Sequence, residues 1–234
     1  MNNEVEKLIK SCFQRVKDIQ QPQQEHEYKV QDLLHIKRKP IEDITFIISL
    51  YQQKVDIEVQ KKSNSILKNY IKDWPLLQFK LLYQASADGF DVEIFHEKCD
   101  DQGPTVTFYL SDLGKVFGVN SSIIMQSDEE GIHKHDPELF VFQLDKQTIH
   151  YSKKPETNTC HFDQYFNSPG NENEMEITND GEEDEFKILC NSKNFGLSFE
   201  LPNEIQFGSI QAKNYLGGAE SFNINEVEVY SLSK

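Results

Sequence analysis

The chain has 234 residues, of which 37% are hydrophobic and 16 are Phe, with a net charge of −15. That is enough apolar material for one sizeable core, which excludes disorder throughout. The charge is unevenly divided: residues 1–74 stand at +2 (13 Lys/Arg, 11 Asp/Glu) and residues 75–234 at −17 (11 and 28), an acidity that repels phosphate backbones and anionic membranes and argues against a nucleic-acid partner.

Residues 5–19 open the chain with a helical period. Val5, Leu8, Ile9, Cys12, Phe13, Val16 and Ile19 recur at spacings of three and four, which places them on one face. Pro22, within a Gln-rich stretch, interrupts the pattern. A second short helix is expected over residues 25–36, followed by Lys37-Arg38-Lys39, a basic run that reads as a solvated helix end. Pro40 suits the first turn of a third helix over residues 41–71, with Ile44, Ile48, Tyr51 and Val55 on one face. The alternation Val55-Asp56-Ile57-Glu58-Val59 leaves a second reading open, a short strand and then a helix over residues 65–74. No run approaches the roughly 18 apolar residues of a membrane span. The charged first 20 residues do not read as a secretory signal.

After Pro75 the texture becomes that of strands. Phe79-Lys80-Leu81-Leu82-Tyr83 suits a buried strand, and residues 105–110, 139–142 and 222–230 are rich in β-branched and aromatic residues. Asp88-Gly89, Gly103-Pro104, Gly114, Pro169-Gly170, Asp180-Gly181 and Gly217-Gly218 punctuate them as turns. Residues 91–98 suit a helix. Residues 126–137 and 167–185 read as exposed loops with little for a core. The fold class expected is α+β, mainly β: a two-sheet antiparallel β-sandwich with short helices over residues 75–234, behind a helical or coiled-coil arm over residues 1–74.

Chemistry-bearing patterns are sparse. His96 with Cys99, His133 with His135, and Cys160 with His161 lack the paired spacing of a zinc site. Setting Gly181 at the sixth position of a calcium loop puts Lys187 where a bidentate Glu is required. No nucleophile elbow or phosphate loop occurs, and Gly114-Lys115-Val116-Phe117-Gly118 reads as a strand whose glycines permit close backbone approach. Four scattered cysteines read as reduced packing residues in a cytosolic setting. No metal or cofactor is expected. In the last strand Glu226 and Glu228 share a side opposite Val227 and Val229. They should therefore face solvent or a basic partner.

The order of these elements resembles the TLDc domain family. Leu81 to Phe90, with Tyr83, Asp88 and Gly89, is similar to the opening of such a domain. The resemblance continues through Phe95 to Asp100 (with Cys99), Gly103-Pro104, Gly114 to Gly118 (with Phe117), Leu139 to Phe142, Asn194-Phe195-Gly196, Gly217-Gly218 and the closing Glu228-Val229-Tyr230. It covers about two thirds of the chain. Val119 to Ile124 departs from the family, which has a further glycine, an aromatic residue and a Trp there. Asn167 to Asn171 replaces a glycine-rich stretch. The resemblance implies a sandwich without an established active site, protection against oxidative stress and binding to the vacuolar proton-pumping ATPase. Three functions follow as expectations: a non-catalytic regulatory or assembly module on that ATPase, a structural component of a cytoskeletal or axonemal assembly, or a thiol-based oxidative-stress protein using Cys99 or Cys160. Partner-facing candidates are Glu226 and Glu228, with Leu8, Phe13 and Val16 on the arm.

Overall fold

A computed structural model describes residues 41–127, 132–153, 159–161, 165–166, 169, 174–180 and 187–234. The chain divides into the units Met1–Ile44 and Thr45–Lys234, and the second carries the fold. The helices expected over residues 5–19 and 25–36 lie outside the described residues.

The third helix forms as α1, Ile41–Val59, and the reading of residues 55–59 as a strand fails. Tyr51, Val55 and Glu58 are its buried stripe, at spacings of four and three. The apparent alternation of valines is therefore a helical i, i+4 pair. The helix ends earlier than expected. Lys61 turns into the left-handed region, and the Glu58 carboxylate accepts from Ser65 Oγ, Ile66 N and Leu67 N. Those bonds hold residues 60–76 as a compact turn with two short 3₁₀ segments, Leu67–Asn69 and Trp74–Leu76.

Ten strands follow among the described residues: β1 (Gln78–Gln84), β2 (Thr105–Ser111), β3 (Val116–Ser121), β4 (Ile132–Lys134), β5 (Phe140–Gln143), β6 (Thr148–Tyr151), β7 (Thr159–His161), β8 (Glu176–Asp180), β9 (Lys187–Asn191) and β10 (Ser221–Ser233). Short helices α2 (Ala85–Asp88), α3 (Val92–Cys99) and α4 (Ile210–Lys213) interrupt them. Hydrogen bonds join β6-β5-β3-β2-β10-β9-β8 into one antiparallel sheet, with β1 also on β10, while β4 pairs with β7 apart. Eight of the strands are thus continuous through β10, and the fold is mainly β, with a curled antiparallel sheet.

β10 explains the curl. One edge pairs with β2, and a bulge separates Ile224 from Glu226. The other edge forks, with Ser221 to Ile224 on β9 and Glu228 to Ser233 on β1. Both wings bring apolar residues to one core: Phe117, Val119 and Val141 from one side, Ile177, Ile188 and Cys190 from the other, with Val227 and Val229 between. The opposite face of β2, β3, β5 and β10 presents Val106, Phe108, Leu110, Val116, Phe142 and Tyr230. Tyr51 and Val55 of α1 cover it together with Leu67 and Trp74.

Two expectations are corrected here. β1 was read as buried, but it pairs only with β10 and leaves Leu81 44% exposed. The stretches read as loops contain core: Asp136, Glu174, Met175 and Ile177 are buried. Glu174 accepts from the amides of Gly196, Ser198 and Phe199, a polar group that composition alone assigns to solvent.

Gly118 lies where β2, β3 and β5 crowd. A Cβ there would stand 2.1 Å from Thr107 O and 2.3 Å from Phe142 Cζ. Gly118→Ala should therefore cost about 3 kcal/mol or more in urea unfolding, since backbone cannot yield as a side chain would. A variant as stable as the parent would contradict this packing.

Candidate functional site

The nearest approach to a catalytic constellation is on α3. Asp91 caps the helix by accepting from Glu93 N at 2.8 Å, and Phe95 and Cys99, four apart, face the core. His96 and Asp100 therefore share another face, where Ser127 joins them. His96 Nδ1 is 3.1 Å from both Asp100 Oδ1 and Ser127 Oγ, and Ser127 Oγ donates to Asp100 Oδ2 at 2.7 Å. A proton relay needs serine on one ring nitrogen and the carboxylate on the other. Here both crowd Nδ1, while Nε2 is 2.8 Å from the Tyr165 carbonyl, an acceptor that fixes a proton on it. The serine proton goes to Asp100. Burial pushes the Asp100 carboxyl up, but its bonds with His96 and Ser127 outweigh that and hold it below the usual range. The trio ties residue 127 to α3 and activates no nucleophile.

The cysteines that can be placed are equally quiet. Cys99 and Cys190 are free and buried, and burial pushes both thiols far above their ordinary pKa. The side chains of Cys12, Cys160, His133 and His161 lie outside the description. Among the described residues no group of three or more His, Cys, Asp or Glu converges on a metal position. No helix among them is long and apolar enough to cross a membrane.

The signature residues hold one another. Tyr83 Oη donates to Gly89 O at 2.5 Å, and Asp88 accepts from Gln84 N and pairs with Lys98 at 2.9 Å. Phe90 packs against the core that contains Cys99 and Phe117. Gly89, Gly103, Gly114 and Gly218 all have positive φ. Gly114 lies in the β2–β3 turn rather than in a strand, and Gly217 leaves no room for a Cβ beside the Phe222 ring.

Glu226 and Glu228 overturn the expectation that they face solvent. They are 2% and 1% exposed, on the side of β10 that carries Tyr230 and lies under α1. Glu226 Oε1 accepts from Ser86 N and Val227 N, both at 3.1 Å, at the fork between β9 and β1. Glu228 accepts from Tyr230 Oη at 2.5 Å and lies 3.4 Å from Gln84 Nε2. No partner can reach either carboxylate in the folded domain. Alternation along a strand reports two faces, and the helix that covers the second one lies about 170 residues upstream in the chain.

A model of the TLDc domain matches residues 55–233. This chain belongs to the TLDc domain family. No curated protein matches it. Membership places the chain among modules of the protein-interaction type.

On α1 the anchored residues Tyr51 and Val55 adjoin a turn with a broad apolar arc, broken on one side by Thr45 and Ser49. Phe46 is 62% exposed, Ile44 51%, Leu50 39% and Ile48 38%. The expected face of Ile44, Ile48, Tyr51 and Val55 is therefore buried only in its second half. Leu8, Phe13 and Val16 lie outside the described residues.

Two predictions follow from this chemistry. Burial, with Glu226 and Asp56 nearby, raises Glu228 from 4.5 to about 6 against the Tyr230 bond. Its contribution to stability is full below 4.5 and is lost as pH rises through about 6. Glu228→Gln should exceed the parent by about 2 kcal/mol near pH ~8 and converge with it in acid, as read by urea unfolding across pH. A pH-independent difference would disprove the assignment. Separately, Cys99 and Cys190 should resist iodoacetamide for as long as the urea-unfolded chain takes to label fully. Prompt labelling of either in the folded protein, seen by peptide mass mapping, would reinstate the thiol reading.

Proposed function

We propose that this TLDc protein is a non-catalytic protein-binding module that acts as a regulatory or assembly factor on the vacuolar proton-pumping ATPase. Family membership over residues 55–233 supports the class of function. The observation that carries the binding reading is the turn of α1 around Phe46. An apolar helix face is at home only when covered, yet Phe46 and Leu50 stand exposed beside a firmly seated Tyr51. The seat is rigid: Tyr51 and Val55 are fully buried, Lys54 pairs with Asp145 of the β5–β6 turn, and Glu58 caps the chain beyond. A partner that covers this turn gains apolar burial without having to order the helix first.

Among the described residues, the side chains that sequence patterns offered for chemistry are engaged within the fold. Asp100, Ser127 and His96 bind one another, Glu226 and Glu228 bind backbone and tyrosine, and two thiols are packed away. That engagement favours binding over a thiol role for Cys99 or Cys190.

The test is affinity purification of the tagged full-length chain and of its Phe46→Asp/Leu50→Asp variant, with partners identified by mass spectrometry. ATPase subunits should accompany the parent and fall at least tenfold with the variant, because an aspartate buried at an interface without a partner costs more than 1.4 kcal/mol. Tubulin or axonemal proteins in their place would establish the structural-component reading instead.

A further inference from the structure

A groove of about 540 Å³ lies between the β5–β6 turn and the loop before α4. Pro202, Ile205 and Ile210 form its walls, and Tyr215 and Lys146 its floor. Ile210 is 61% exposed, and Phe207 stands exposed in the same loop.

The floor is built rather than incidental. Tyr215 is buried, edge-on to His150 and stacked on Phe195. Burial lowers His150 to about 4, so the ring is neutral at physiological pH. Its Nδ1 lies 2.8 Å from Glu200 O and must carry the proton. Nε2 then accepts from Thr148 Oγ1 at 2.9 Å, and Thr148 accepts from Tyr215 Oη at 3.1 Å. Every proton in this chain has one direction, and the Tyr215 ring is fixed. Above it sits the Lys146 ammonium, 3.4 Å from the ring centroid and donating to Tyr215 O at 2.7 Å. An ammonium has three donors. One meets the carbonyl and one the ring face, which leaves one directed away from both.

The charge around Lys146 is unusual for this chain. Residues 75–234 hold 28 acids against 11 bases, yet among the described residues no carboxylate lies in ion-pair contact with Lys146. Asp145 pairs with Lys54 and Glu220 with Lys213; burial first and the nearby Lys115 charge second depress Lys146, and the Asp145 carboxylate opposes them in part. Glu204 lies on the loop itself, between the lining residues Pro202 and Ile205.

We propose that this groove binds an acidic peptide segment of a partner protein, with one bulky apolar side chain between Ile205 and Ile210 and a carboxylate on Lys146. The groove is shallow and open to solvent, which suits a peptide laid across it, and the mixture of apolar walls with one directed charge is the usual composition of binding sites. A membrane fits less well. Its extended anionic surface meets the whole acidic domain, whereas a short segment meets only what lies within a screening length of about 8 Å. The proposal deepens the protein-binding reading and rests on it for the class of partner.

Methyl NMR of the isoleucine-labelled full-length protein tests it, with the hexapeptide acetyl-Glu-Glu-Phe-Leu-Glu-Glu as probe. Saturable shifts should appear at Ile205 and Ile210. Lys146→Gln should weaken binding about tenfold, and Ile210→Asp, a change at an exposed position, should abolish it. The peptide with lysines for its glutamates should not bind. Absence of shifts at millimolar peptide, or equal binding by Lys146→Gln, overturns the proposal. So does sedimentation with vesicles of three parts phosphatidylcholine to one part phosphatidylserine when the peptide leaves the groove untouched. The two readings fail separately. If ATPase subunits copurify equally with the parent and both groove variants, and the peptide does not bind, only the groove proposal fails. If the peptide binds as described and no ATPase subunit copurifies, only the choice of partner complex fails.

Discussion

The arrangement depends on β10 being paired on both edges and covered on both faces, with two carboxylates buried inside that enclosure. A strand edge that passes from one partner to another leaves backbone donors between them. At this fork Ser86 N and Val227 N are the donors, and Glu226 takes both. An isolated buried carboxylate costs several kcal/mol, and two directed amides offset much of that cost. The same bonds fix α2 against β10, so the path of the chain from β1 into α3 is set at this point. Remove the acceptor and the fork has no polar closure.

Glu228 completes the closure on the layer beneath α1. Its bond from Tyr230 places a tyrosine ring under the helix, where Phe108 and Phe79 meet it edge-on. The helix is therefore seated on aromatic rings whose orientation the carboxylate governs. Seating stops at Tyr51. Toward the start of α1 the sheet offers only the side of the β2–β3 turn, where Ile47 lies 3.9 Å from the position a Cβ on Gly114 would occupy. The apolar turn around Phe46 is exposed because the sheet ends there, not because the helix lacks apolar residues.

This geometry separates what the sequence could reveal from what it could not. Helix α3 and strands β2, β5 and β10 were legible because each carries its own period or a run of β-branched and aromatic residues. The environment of Glu226 and Glu228 was not. Alternation distinguishes two faces of a strand but not a wet face from one covered by a distant helix. The same blindness made β1 look buried, since an apolar run says nothing of how many strands will flank it. It also made residues 174–177 look solvated, because a glutamate that will meet three amides is indistinguishable in composition from one that will meet water. The groove left no signal at all. Lys146, Pro202, Ile210 and Tyr215 lie on separate segments, and only the pairing of β5 with β6 and the loop before α4 bring them together.

The acidity of the domain changes meaning with position. At long range it is a field that discourages phosphate-rich partners. At close range two of the acids near the groove are already engaged: Asp145 also accepts from Val116 N, and Glu220 holds Lys213. Neutralising acids locally is what lets a single lysine present a positive charge within a chain at −15. Because Tyr215, Thr148 and His150 are fixed by bonds of one direction, that charge is also fixed in place and need not be ordered when a ligand arrives. Specificity then comes from what such a spot rejects: a basic segment meets Lys146 and Lys115, and an extended anionic surface meets the remaining acids before it reaches the groove.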